Sequence, residues 1–373
     1  MPETVPEAAG DPSPLAGYTV AVTAARRREE LGALLERRGA RVVYAPAIRI
    51  VPLSDDAELV AATRAVLAAP VDLVVATTGV GFRGWLEAAD AWDLPLVDHL
   101  RSSRVLARGP KARGAIRGGG LVDAWSPASE SSAEVLEHLL SGAEGPLAGR
   151  RIAVQLHGDP LPEFVDALRS AGADVLPVPV YRWVLPEDVG PVRRLVGTVV
   201  AGGVDAVTFT SAPAAASLLT VAAELGQSDA LVAALRGGVL PVAVGPVTAA
   251  PLVAAGIAPV QPERSRLGAL AREVVARLPE RDPVLEVGAH AVQVRGWGVL
   301  VDGRLVELPP GPMAVLRALA ARPGTVLSRP ELVRVLPGGG DGHAVEMAVT
   351  RLRAALGAPL VETVVKRGYR LRV

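Results

Sequence analysis

Landmarks in the first 280 residues occur twice in the same order, and this internal repeat constrains the fold more than any single motif. Leu15-Ala-Gly17 recurs as Leu147-Ala-Gly149. Gly39-Ala40, ahead of VVYAP, recurs as Gly172-Ala173, ahead of VLPVP. The run Val71-Asp-Leu-Val-Val-Ala-Thr-Thr78 parallels Val204-Asp-Ala-Val-Thr-Phe-Thr-Ser211, and Arg108-Gly-Pro110 parallels Val244-Gly-Pro246. The offsets are 132, 133, 133 and 136 residues. Four ordered matches at nearly constant spacing exceed what an Ala/Val-rich composition produces by chance. Each copy alternates short aliphatic strands with helical patterns, the order of parallel α/β layers. Two similar α/β lobes over residues 15–278 are therefore expected.

Composition narrows what fills these lobes. Half of the 373 residues are hydrophobic but only 3% are aromatic, so the cores must be built from Val, Leu and Ala. Cysteine is absent, which excludes disulfides, thiolate zinc sites and redox-thiol chemistry. His99, His138, His157, His290 and His343 lie far apart without metal-ligand spacing, so no metal is expected. Met1 to Pro14, rich in Pro and acids with no apolar core, reads as a disordered leader rather than a signal peptide. Gly237 to Gln261 carries no charge, but Pro241, Pro246, Pro251 and Pro259 interrupt it. Strand, turn, short helix and strand fit it better than a membrane span. A soluble, cytoplasmic chain without membrane contact is expected.

In α/β sheets ligands gather at the carboxyl edge, where strand gives way to helix. The residues there are Thr23 to Arg28, Thr77-Thr78-Gly79, Gly109-Pro-Lys111, Gln155 to Gly158, Thr210-Ser211 and Gly245 to Thr248. Small, hydroxylic and Gly residues at helix starts leave backbone N–H groups open to an anion. Taken singly, each reads equally as an ordinary N-cap. Six of them on two lobes point to a clamp for a carboxylate-rich molecule. Arg26, Thr77, Thr78, Lys111, Thr210, Ser211, Gly245 and Thr248 are its candidate binding residues.

The chain's other end has a different character. From Val326 to Val373 eight basic side chains face four acids, in a molecule of zero formal net charge. A local positive excess of this kind suggests a polyanionic partner. Ser328-Arg-Pro-Glu331 is a capping-box pattern opening a short helix, and Gly338-Gly339-Gly340 breaks it. His343 to Leu356 then carries Val345, Val349, Leu352 and Leu356 on one stripe. The opposite face holds His343, Met347, Thr350, Arg351 and Ala354, with Arg353 on the flank. After Gly357-Ala-Pro359 a hairpin is expected, Leu360 to Val365 and Tyr369 to Val373, around Lys366-Arg367-Gly368. Alone, TRLRAAL reads equally as an amphipathic helix with a solvated basic face. The capped helix before it and the basic hairpin after it favour binding to double-stranded DNA.

Residues from about Val284 to Val373 resemble the effector domain of OmpR/PhoB-type response regulators. The resemblance is carried by VLVDGRLVELPPGPMAVLRAL, SRPEL, TRLRAAL and ETVVKRGYRL. It implies a small α+β winged helix-turn-helix domain over 284–373, with a recognition helix at 343–356 and a wing at 366–368. His343, Thr350, Arg351, Arg353, Lys366 and Arg367 are then the candidate DNA-binding residues.

From about Leu15 to Leu278 the chain is similar to uroporphyrinogen-III synthase, the HemD family. VAVTAARRREELGALLERRGARVVYAPAIRI, VPVYR, VDAVTFTS and VAVGPVTAAPLVAAGIAPVQPERSRLGAL carry that similarity. It implies two flavodoxin-like lobes with a crossed chain order: 15–46 plus 182–278, and 48–180, joined through AIRIVP and PVYRW. Residues 279–283 would link them to the winged helix. The family's reaction closes hydroxymethylbilane, a linear tetrapyrrole with eight carboxylates, inverting the last ring without metal or cofactor. Positioning and carboxylate binding then outweigh strong acid–base groups. By this resemblance Tyr181 is the candidate proton donor to the leaving hydroxyl, and Ser211 and Thr248 bind acidic side arms. The first half departs from the family: Gly109-Pro-Lys111-Ala112 stands for Gly-Pro-Ala-Thr, and Thr77-Thr78-Gly79-Val80-Gly81 for Thr-Ser-Ala-Asn-Gly. Lys111 and Lys366 are the chain's two lysines.

The strand ends hold no acidic pocket with a phosphoacceptor Asp, so a phosphorelay is not expected. The two resemblances together imply a transcription regulator whose synthase-like part senses a tetrapyrrole or another polyanionic metabolite. In a homodimer, lobe closure would alter the spacing of two DNA-reading helices. The alternative is an active synthase that also binds DNA.

Overall fold

The computed structural model describes residues 13–52, 57–128, 131–156, 158, 161–357 and 359–372. Of the expected leader, only Ser13 and Pro14 fall among them; His157 does not. The first eleven strands are β1 (Thr19–Val22), β2 (Arg41–Tyr44), β3 (Arg49–Pro52), β4 (Leu73–Ala76), β5 (Arg104–Ala107), β6 (Asp123–Trp125), β7 (Arg151–Leu156), β8 (Asp174–Pro179), β9 (Tyr181–Val184), β10 (Ala206–Phe209) and β11 (Leu240–Ala243). The central ones, such as LVVA in β4 and AVTF in β10, are buried along their whole length. Continuous short apolar runs of this kind are what a parallel sheet covered on both faces requires.

Nine of these strands form two parallel sheets, of order β11-β10-β1-β2 and β6-β5-β4-β7-β8. The chain divides accordingly into two compact units: residues up to Ile48 with those from Leu185 onward, and Arg49–Val184. The repeated landmarks put β1 with β7, β2 with β8, β10 with β4 and β11 with β5. In those equivalents the two sheets share one strand order, so each sheet takes its halves from different copies of the repeat. The crossing segments β3 and β9 pair with each other as an antiparallel ladder, Arg49 opposite Val184 and Pro52 opposite Tyr181. The uncharged stretch supplies β11, the helix Pro246–Ala254 and Val260, which bridges back to Val242. Among the described residues no helix is long and apolar enough to cross a membrane.

The carboxyl-terminal domain begins with an antiparallel sheet, β12 (Leu285–Val287), β13 (His290–Val294), β14 (Gly298–Val301) and β15 (Arg304–Glu307). Three helices follow, Pro310–Ala320, Arg329–Val333 and Gly342–Leu356, then the hairpin β16 (Val361–Val364) and β17 (Gly368–Leu371). Ser328 and Glu331 form the reciprocal capping box that their spacing predicts. The Asp341 carboxylate caps the third helix by accepting from the Ala344 N–H at 2.9 Å, and Gly357 ends it in the left-handed conformation. Val345, Val349, Leu352 and Leu356 are buried in a core with Leu316, Leu319, Leu332 and Tyr369. Leu327 exchanges backbone hydrogen bonds with Tyr369, at 2.8 and 3.0 Å. Any side chain on Gly368 would strike the Leu327 carbonyl, and its φ of 140° already excludes ordinary residues.

The expected joint begins at Pro279, but the helix Leu267–Glu280 includes that proline in its last turn. The connection is therefore shorter, and it is pinned by a buried polar seam on the β1 sheet. The Arg295 guanidinium, 7% exposed, donates to the Ala16 and Pro14 carbonyls at 2.7 and 3.2 Å and to Gln293 Oε1 at 2.8 and 3.0 Å. Gln293 in turn donates to the carbonyls of Asp282 and Pro279, at 2.6 and 3.2 Å. Trp297 donates its backbone N–H to the Gly17 carbonyl at 2.8 Å, and the Arg41 guanidinium lies 3.6 Å over the Trp297 ring. The Asp205 carboxylate accepts from the Thr19 N–H at 2.7 Å and abuts Gly296, while Arg317 donates to the Gly296 carbonyl.

Burial pushes the Asp205 carboxyl up to about 6, against the Thr19 N–H and the Arg317 and Arg281 charges, which pull it down; Asp282 adds to the rise. A carboxyl raised in this way stabilises the fold in its neutral form. That advantage is complete below the ordinary carboxylate range and is lost as pH rises through about 6. Asp205→Asn keeps an acceptor for Thr19 and removes the charge. It is expected to stabilise the protein by roughly 1–2 kcal/mol at neutral pH and by almost nothing near pH 4. Urea midpoints at the two pH values check this, and equal shifts at both would contradict it.

Candidate functional site

Both parallel sheets reverse strand order at one point, between β1 and β10 and between β7 and β4. Such a switch point is where an α/β sheet opens a crevice at its carboxyl edge. Each unit fills that point differently.

In the unit Arg49–Val184, the switch point is closed by a side chain not singled out from the sequence. Gln155, fully buried at the end of β7, accepts from the N–H groups of both Thr77 and Thr78 at 3.1 Å. Thr77 Oγ1 donates back to the Gln155 carbonyl at 2.6 Å, and Thr78 Oγ1 caps the helix Gly79–Ala91 by accepting from Gly81 at 3.2 Å. The N–H groups of Thr77 and Thr78, expected to stay open to an anion, are thus already occupied. Only the position of Gln155 among the strand ends pointed to it; its partners lie 77 and 78 residues away.

The glycines of Thr77-Thr78-Gly79-Val80-Gly81 answer to close packing. A Cβ on Gly79 would collide with the Lys111 carbonyl, and one on Gly81 would lie 2.5 Å from Gln155 Nε2 and 2.7 Å from Val180. The departures at Gly79 and at Lys111 therefore meet in space, through the backbone. Lys111 stands in the first turn of the helix Pro110–Gly118 with its side chain exposed. Gly158 holds a φ of 84°, and a Cβ there would stand 2.9 Å from the Trp183 ring and 3.0 Å from that of Tyr181. Tyr181 is 7% exposed and tilted against Trp183, with ring centroids 6.1 Å apart. Thr77, Thr78, Lys111 and Tyr181 thus gather around the ends of β4 and β7 within this one unit.

The other unit ties its switch point with hydroxyls. Thr23 Oγ1 donates to the Thr208 carbonyl at 2.8 Å and Thr208 Oγ1 to the Ala21 carbonyl at 3.0 Å, both fully buried. Ser211 is the N-cap of the helix Ala212–Glu224 but makes no side-chain bond to it, unlike Thr78. Ser211 and neighbouring Thr210 are both half-buried. Gly245 precedes the helix Pro246–Ala254 with Ser265 lying over it, and Thr248 is buried one turn inside. Arg26 is exposed and pairs with no acid among the described residues, whereas Arg27 and Arg28 are engaged by Glu30 and Glu29.

On the carboxyl-terminal domain, His343, Met347, Thr350 and Arg351 are exposed on the outer face of the helix Gly342–Leu356. Two groups expected to meet DNA are engaged elsewhere. Arg353 donates to the Val361 carbonyl at 2.8 and 3.1 Å and to Thr363 Oγ1 at 2.8 Å, pinning the hairpin to the helix. Thr350 Oγ1 donates to the Glu346 carbonyl at 2.8 Å, and Glu346 itself pairs with Arg329. Arg370 and Arg372 pair with Glu362. Arg334, Arg351, Lys366 and Arg367 are exposed and pair with no acid among the described residues. Lys366 holds a φ of 57° at the tip of the hairpin turn. No group of His, Asp and Glu that could hold a metal ion occurs among the described residues.

Removing the Gln155 side chain leaves two backbone donors without their acceptor, one of them at a residue only 2% exposed. Gln155→Ala is expected to cost about 1–3 kcal/mol and to accelerate hydrogen exchange at the Thr77 and Thr78 amides selectively. Unchanged protection of those two amides would contradict the assignment.

Residues 29–272 match the family described as Uroporphyrinogen-III synthase HemD, and residues 303–371 the family described as Transcriptional regulatory protein, C terminal. The uncharacterized protein YjjA of Bacillus subtilis is 28% identical over 271 residues, covering 72% of this chain and 98% of YjjA. A crystal structure of a mutant uroporphyrinogen III synthase from the extremely thermophilic bacterium Thermus thermophilus is 34% identical, with a TM-score of 0.56. The match covers 68% of this chain and 96% of that one. Transcriptional regulatory protein CseB of Streptomyces coelicolor is 38% identical over 96 residues, 25% of this chain and 41% of CseB. The likeness to CseB therefore spans about two fifths of that regulator.

Proposed function

Because the chain belongs to the uroporphyrinogen-III synthase HemD family and continues into a transcriptional-regulator carboxyl-terminal domain, we propose that it is a DNA-binding transcription regulator. Its synthase-like part takes a tetrapyrrole or another polyanionic metabolite. One observation carries the reading: the outer face of the helix Gly342–Leu356 and the hairpin tip present Arg351, Lys366 and Arg367 to solvent without acidic partners. Cations left unpaired on an exposed helix and wing are what a duplex phosphate backbone and major groove recruit.

Ligand binding is supported by the unspent hydroxyl of Ser211, by Thr248 and Arg26 in one unit, and by the exposed ammonium of Lys111 in the other. A cationic group binds a carboxylate more strongly than a hydroxyl does, so Lys111 compensates for the threonine that the family carries nearby. The β1 sheet and the DNA-reading domain belong to one unit joined by the Arg295 seam. A ligand at Ser211 and Thr248 therefore acts on the body that carries the recognition helix. It shifts DNA binding by as much as it prefers one state over another.

Two substitutions separate base reading from backbone attraction. Arg351→Ala is expected to cost about 1–3 kcal/mol and to relax base preference. Lys366→Ala should weaken binding on every sequence and reduce the salt slope by about one. Arg353→Ala should instead lower the melting temperature of the domain, because it frees the hairpin. Anisotropy titrations over a salt series, paired with thermal melts, read all three. Unchanged DNA binding in the first two variants would end the groove assignment.

A second reading, an active synthase that also binds DNA, is favoured by Tyr181, packed beside Trp183 and Gly158 at the strand edge where the resemblance requires a proton donor. Incubation with hydroxymethylbilane and separation of the type I and type III products decides between the two. Type III product that disappears in Tyr181→Phe establishes the enzyme. Type I alone supports the sensor.

A further inference from the structure

Most polar groups on the outer face of the recognition helix are committed within the protein. Glu346 is held by Arg329 at 3.1 Å, the Thr350 hydroxyl by the Glu346 carbonyl, and Arg353 by the hairpin. Three side chains remain unengaged among the described residues: His343, Met347 and Arg351. They follow one another at intervals of four, so they form a single ridge along the helix. The middle member is apolar. Met347 is 42% exposed, between an imidazole and a guanidinium, and the buried stripe of Val345, Val349 and Leu352 lies on the opposite side. Met347 is not among the side chains that build or pack against the domain's core, so its thioether is left to the surface.

We propose that Met347 reads the C5-methyl group of a thymine, about two base pairs from a guanine read by Arg351. The inference rests on the DNA-binding reading and names the base chemistry that the reading leaves open. Its warrant is charge and spacing. The unpaired cations Arg334, Arg351, Lys366 and Arg367 call for a polyanion rather than an apolar surface on this face, and the match of residues 303–371 to a transcriptional regulatory domain makes that polyanion duplex DNA. In the major groove the thymine methyl is the apolar group available, and guanine N7 and O6 are the acceptors that a guanidinium meets in pairs. Four helical residues rise about 6 Å, close to two base steps of about 3.4 Å each.

The test uses the full chain and duplexes selected from a random library. The selected motif is expected to hold a G and a T about two positions apart. Replacing that thymine by uracil removes only the methyl and should weaken binding of the wild-type protein roughly fourfold, the effect of one buried methyl group. Met347→Ala should bind the thymine and uracil duplexes equally, while Arg351→Ala loses the preference at the guanine. A motif that the wild type binds equally with thymine and uracil overturns this proposal and leaves DNA binding standing. A library from which nothing is enriched overturns both. Tight binding by an acidic or apolar protein segment on Met347, with no selected motif, gives the face to a different occupant and also overturns it.

Discussion

The Arg295 guanidinium, buried among carbonyls that come from two domains, is the interaction on which the arrangement of this protein depends. It holds the Pro14 and Ala16 carbonyls on one side and Gln293 on the other, and Gln293 holds the end of the synthase-like part at Pro279 and Asp282. A buried charge held by several hydrogen-bond partners is tolerated; the same charge with partners removed is not. The carboxyl-terminal domain is therefore fastened to the β1 sheet and is not a module swinging on a flexible tether. The face so fastened is the β12–β15 sheet and its following helix, which leaves the recognition helix and the hairpin open.

The repeat explains why the chain crosses between its sheets. Each sheet needs the strand equivalents of β2, β1, β10 and β11, and the chain supplies them by leaving one sheet after β2 and returning after β8. The double crossing costs little local regularity because β3 and β9 satisfy each other as an antiparallel pair. At the two switch points the same geometric problem has different solutions, an amide from Gln155 and a pair of crossed threonine hydroxyls. In the proposed regulator, fusion of this body to a winged helix puts a metabolite in the place of phosphorylation as the input. Two positions where the chain departs from the family pattern, Gly79 and Lys111, meet at the end of β4.

Much of this was legible in the sequence where the information is local or repeated. The capping box at Ser328, the apolar stripe from Val345 to Leu356, the breaks at Gly357 and Gly368, and the ordered landmarks of the duplication each follow from spacing and residue type. What stayed hidden depends on partners far away along the chain. Gln155 reads as one strand-end polar residue until β4 is placed beside it. Arg353 reads as a free cation until the hairpin folds back onto its helix. The seam is the extreme case, because Arg295 and its Ala16 partner are separated by 279 residues and Arg295 lies in none of the motifs read from the sequence. Pro279 misled in the opposite sense: a proline usually marks a boundary, yet this helix runs one residue past it and is closed by the Arg281 and Asp282 N–H groups donating to the Leu278 and Pro279 carbonyls.

The central claim is that a winged helix carried on a synthase-like body reads duplex DNA. The most direct test is to retain sheared genomic DNA on the purified intact protein at increasing salt and to sequence what stays bound. The account predicts a small set of discrete sites, enriched over background and released as salt rises. Retention of all fragments alike, or of none at physiological salt, would contradict it.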